Sequence, residues 1–150
     1  MTTLLERLTS ALGEVTTLVE ESDGALTISV DGSVASLRVV TIAEGLEMVS
    51  LTQPLAWDLP LTNKIRERVA DQAGRTMLGT VALVEKASDG PDTAANGSST
   101  KATRRTAAKR VADVMLRYNF PAAGLTDEAL RTLILMVLSA GADVRRALVA

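Results

Sequence analysis

The chain opens on a helical period. Leu4, Leu5, Leu8, Ala11 and Leu12 share one face at i, i+4 and i+8 spacing, with Thr2 or Thr3 placed as a cap and Gly13 as a stop. The period then drops to two. Leu26, Ile28 and Val30 alternate with Thr27, Ser29 and Asp31, between the pairs Asp23-Gly24 and Asp31-Gly32. Such Asp-Gly pairs favour type I′ turns, whose two central residues both need positive φ. Leu37 to Ile42 predicts a further strand, Glu44-Gly45 its turn, and Leu46 to Trp57 another strand that stops at Asp58-Leu59-Pro60. Residues 16–57 therefore predict an antiparallel meander of three or four strands, depending on whether 16–22 pairs.

From Thr62 the helical period returns, with Ile65, Val69 and Ala73 four apart and the helix closed by Gly74, or by Gly79 if a frayed turn continues. Lys64, Arg66, Glu67, Arg68, Asp71, Gln72 and Arg75 surround that narrow stripe and predict a solvated helix lying on its own sheet. Val81 to Glu85 predicts a fifth strand. Ser88 to Thr100 holds no large apolar residue, so a flexible loop is expected over about 88–105. Val111 to Phe120 resumes the sheet, and Pro121 and Gly124 end it. Thr126-Asp127-Glu128 then opens a last helix with a cap and two acids at the positive end of its dipole. That helix is apolar nearly all round from Leu133 to Leu138, and Ala140-Gly141-Ala142 is expected to break it, with Asp143 capping a final turn.

The order α-βββ-α-ββ-α predicts a single α+β domain over residues 1–150. Its antiparallel sheet should have five or six strands, with an N-terminal, a middle and a C-terminal helix.

Composition narrows the chemistry. The 150 residues include no Cys and no His, which removes thiolate catalysis, Cys/His metal sites and every His-based triad. No cofactor and no metal are expected. Ser98-Ser99-Thr100-Lys101 has the spacing of serine acyltransfer enzymes but sits in the expected loop, without their strand–helix context. Gly74 to Thr80 has glycines at phosphate-loop spacing, yet Thr80 stands where the Lys should be. Glu20, Glu21 and Asp23 cluster at a hairpin tip, where acids are usually solvated. An enzyme is not expected.

The net charge is −2, and Met1 to Arg7 lacks the layout of a signal peptide. The apolar run from Leu133 to Leu138 is far short of the roughly 20 residues that span a bilayer. A soluble, cytoplasmic protein is expected. Lys101, Arg104, Arg105, Lys109 and Arg110 form a basic stretch that could bind nucleic acid or another anionic partner by counterion release. No aromatic is interleaved with them, so a solvated loop end is the better account, and nucleic acid is the alternative partner rather than the expected one.

Three stretches carry a resemblance. They are Leu55-Ala56-Trp57-Asp58-Leu59-Pro60-Leu61 leading into the middle helix, Val114-Met115-Leu116-Arg117-Tyr118-Asn119-Phe120-Pro121, and the segment Gly124 to Leu133 that starts the last helix. With the element order, they resemble the family of type III secretion chaperones and YbjN-like proteins. The resemblance implies a small, acidic, homodimeric module that holds an unfolded segment of a client protein on its surface.

The sheet itself offers a place for such a client. Both faces of the strands 37–42 and 46–57 are rich in apolar residues, more than one solvated face requires. Val40, Ile42, Val49 and Leu51 are the expected peptide-binding residues, with Trp57 as a possible anchor.

Overall fold

Thr3 caps the first helix, α1 (Leu4–Gly13), and closes a capping box with Glu6. In the computed structural model, which describes residues 2–87 and 110–149, four strands follow: β1 (Thr17–Glu20), β2 (Leu26–Val30), β3 (Ser33–Ala43) and β4 (Leu46–Pro60). Then come α2 (Asn63–Arg75), β5 (Thr80–Ala87), β6 (Arg110–Pro121) and α3 (Asp127–Val149). The strands form one antiparallel sheet in the order β1-β2-β3-β4-β6-β5. The α+β class and the three helices are as the sequence predicts, and the meander has four strands because residues 17–20 pair with β2.

All three helices lie on one side of that sheet. α3 packs on β3 and β4, α1 packs on α3 and touches β1, and α2 packs on β5 and α3. Arg7 ties α1 to the start of α3, donating to Asp127 at 2.7 Å and to the carbonyls of Ala123 and Leu125. The core forms between the layers, where Leu8 and Leu12 meet Leu26, Ile28, Leu37, Val49, Leu51, Leu116, Leu130 and Ile134, all 0% exposed. Each such side chain contributes roughly 1.5–3 kcal/mol by leaving water.

Local geometry departs from the sequence expectations at three places. Asp31 (φ 49°) and Gly32 (φ 82°) make the expected tight turn, but Asp23-Gly24 does not. The β1–β2 connection is longer, closed by Glu21 N–H to the Ala25 carbonyl at 2.8 Å, and the Asp23 carboxylate accepts the Ala25 N–H at 3.1 Å. β4 continues through Asp58-Leu59 to Pro60, because β6 pairs with it as far as Pro60↔Val111. The last helix is unbroken through Ala140-Gly141-Ala142. Gly141 instead lets the helix approach the sheet closely, since a Cβ there would overlap the buried side-chain amide of Gln53. The expected loop at 88–105 and Ser98-Ser99-Thr100-Lys101 lie outside the described residues. Among the described residues no helix is long and apolar enough to cross a membrane.

Candidate functional site

The β3–β4 hairpin decides which residues share a face. Ala43 pairs with Leu46 around Glu44-Gly45, but Thr41 pairs with Glu47, so Ile42 is an extra residue in a bulge. That single insertion shifts the register by one. Val40 consequently opposes Met48, whereas Val39 opposes Val49 and Leu37 opposes Leu51. Residues directly opposed in a ladder project to the same side. Val49 and Leu51 therefore lie in the core beneath α3, both 0% exposed, while Val40 (41%) and Ile42 (59%) are open to solvent. The four expected peptide-binding residues are not one surface. A tight hairpin without the bulge would have placed Val40 opposite Val49, which is why alternation alone joins them.

Among the described residues, no element packs on the side of the sheet away from the helices. Across its middle runs a polar row, Ser36–Thr52–Arg117–Thr80, with Ser50 and Asn119 beside it. Apolar side chains lie on either side of this row. Val40 and Met48 stand at one end, and Val34, Pro54, Met115, Ala82 and Val84 at the other. Val34 is 47% and Val84 39% exposed.

At the second end β4 bulges again. Ala56 opposes Val114 and Leu59 opposes Ala112, so two β4 residues between them face one on β6. Asp58 adopts φ 53°, a backbone conformation that side-chain-bearing residues rarely take. Asp113 on β6 holds it there. Its carboxylate accepts the Asp58 N–H at 2.9 Å and pairs with the Lys86 ammonium at 3.1 Å, and Lys86 in turn reaches the Asp58 carboxylate at 2.7 Å. The Asp58 N–H, with help from Lys86, holds the Asp113 carboxyl below the usual carboxylate range, against the opposing effect of burial. Hydrogen bonds to Asp58 and Asp113 raise Lys86 above its ordinary value, so it stays protonated.

This lattice presents Trp57 outward. The only tryptophan of the chain is 58% exposed, with Lys86 Nζ 5.9 Å from its ring centroid. Beside it opens a groove of about 560 Å³ between the start of β3, the bulged part of β4 and the end of α3. Val34, Pro54, Leu59 and Val149 make its apolar walls, and among the described residues Arg145 is the one charged residue lining it. β3 pairs with β4 only as far as Ser36↔Thr52, so the groove lies where β4 runs on past its partner.

Sequence reasoning named Trp57 but missed Lys86, Asp113 and Arg145. A signal existed for Asp113, the one acid within the apolar strand Val111 to Phe120, which a buried position permits only with a partner. The acids at the hairpin tip are all exposed; Asp23 pairs with Arg38, and Glu21 accepts from Thr27. Among the described residues no acidic cluster could hold a metal ion. Of the basic stretch only Arg110 is described, and it lies 3.8 Å from Glu85. Gly79, of the glycine-spaced segment, turns the chain into β5 at φ 88° and backs against Leu116.

No family model and no curated protein matches the chain.

Proposed function

We propose that this chain is a non-enzymatic binding module that holds an extended segment of another protein on the uncovered side of its sheet. The observation that carries the reading is the one-sided placement of the helices. Among the described residues, it leaves Val34, Val40, Met48, Val84, Met115 and Trp57 without a covering layer. An extended chain suits such a surface, because apolar and polar side chains two residues apart match alternating ground. The resemblance to secretion chaperones and YbjN-like proteins supports the same reading, and brings with it a homodimer. Chemistry on a substrate has little to draw on here, since the described carboxylates at the site are engaged with Lys86 and the backbone.

Panning a random twelve-residue phage-displayed library against the full chain tests the proposal. Peptides enriched by the wild-type protein, and bound less well by the double variant Val40→Asp/Trp57→Ala, are expected. Failure to enrich any peptide would overturn it. Sedimentation velocity measures the oligomer, with a dimer expected.

A further inference from the structure

We infer that the groove beside Trp57 receives an acidic residue of the client next to a large apolar one, the apolar side chain on the indole and the carboxylate on Arg145. This rests on the peptide-binding reading and states what the client must carry.

Three observations select that chemistry. The first is charge. Arg146 pairs with Asp143, whereas among the described residues no carboxylate pairs with its neighbour Arg145. The Asp58 and Asp113 carboxylates are already turned to Lys86. An incoming anion therefore meets a guanidinium with no competitor along the groove, while a cation would meet an unanswered like charge.

The second is the backbone. A client strand laid along a regular edge would be read through its main-chain groups. Here β4 carries Pro54, Pro60 and the Trp57-Asp58 bulge, features that blunt an edge against ladder formation. Recognition at this end falls to side chains.

The third is the presentation of Trp57. A large apolar ring is kept 58% exposed by a positive-φ residue that needs two charged side chains to hold it. Strain of this kind persists where the surroundings fix it, and it clusters at ligand-binding positions. Trp57 lines the groove together with Val34 and Pro54, so an apolar side chain entering there meets apolar neighbours.

The test pans the same twelve-residue library against the wild-type chain and against Arg145→Glu, an exposed substitution on the surface of α3 that leaves the core untouched. Wild type should enrich Asp or Glu beside Leu, Ile, Phe or Trp. Arg145→Glu should bind those peptides about tenfold more weakly and enrich Lys or Arg in place of the acid. Synthetic versions of those enriched peptides that carry no tryptophan should also shift Trp57 emission to shorter wavelength, a clean readout because the chain has one tryptophan. Peptides that bind without an acidic preference, or equally to both proteins, or without moving Trp57 emission, would overturn the inference and leave the peptide-binding reading standing. If neither protein enriches any peptide, that reading falls and this inference with it.

Discussion

β3 and β4 carry apolar side chains on both of their faces, and the two faces do different work. On one, Leu37, Val49 and Leu51 are sealed beneath α3 and exchange nothing with solvent. On the other, Val40 opposes Met48 across the same two strands, with no layer above them among the described residues. The apolar character is similar, and only the register assigns each residue to the core or to the surface. Hydrophobicity along a strand therefore says that a residue will seek cover. It does not say whether the chain itself supplies that cover.

The sharpest way to break this comparison is to place the same substitution on each face. Leu51→Asp should not yield a folded protein, since it buries an unpaired charge under α3. The milder Leu51→Ala should cost about 2–5 kcal/mol by urea denaturation. A small effect at Leu51 would mean that α3 does not seal this face.

The next effect concerns how closely the covered face is sealed. Gln53 is 2% exposed, its Nε2 is 3.4 Å from the Leu138 carbonyl, and its Oε1 has no partner among the described residues. Gly141→Ala would drive a methyl into that amide and should destabilise by about 1–3 kcal/mol. Combining it with Gln53→Ala should recover most of the loss relative to Gln53→Ala alone, and strict additivity would contradict the close approach.

On the bare face, Asp113→Asn tests the lattice behind Trp57. The folded carboxyl titrates below its ordinary 3.8, so the stability it contributes is present above that value and is lost as pH falls through the lower one. Wild type should therefore loosen on the acid side, seen as a shift in Trp57 emission below about pH 4. The Asn variant should show a perturbed emission at neutral pH and a flatter acid limb.

The smallest effect is expected at Val40→Ser and Ile42→Ser, within about 0.5 kcal/mol each, because Val40 stays 41% and Ile42 59% exposed in the folded chain. A loss comparable to Leu51→Ala would show that the bare face is covered in solution.

Much of the fold is legible in the chain, and for identifiable reasons. Thr3, Thr62 and the Asp31-Gly32 turn are local signals, and each acts within three or four residues of itself. Leu26, Ile28 and Val30 alternate without interruption and lie where alternation puts them. What the chain conceals is set between strands. The bulge at Ile42 separates Val40 from Val49, and nothing in Thr41-Ile42-Ala43 announces it. The same holds for the lattice at Trp57, where Asp58, Lys86 and Asp113 come from three strands and meet only once β4, β5 and β6 are paired. Gly141 looks like a helix breaker by composition, and only its contact with Gln53 shows what it is for.

The central claim is that a client segment occupies the uncovered side of the sheet. Methyl nuclear magnetic resonance on protein labelled at Val, Leu and Met, titrated with a peptide enriched by the wild-type chain, tests it in one measurement. The account predicts shifts at Val34, Val84 and Met115, with Val49, Leu51 and Leu116 unmoved. Shifts confined to the helices, or none on the bare face while peptide is bound, would contradict it.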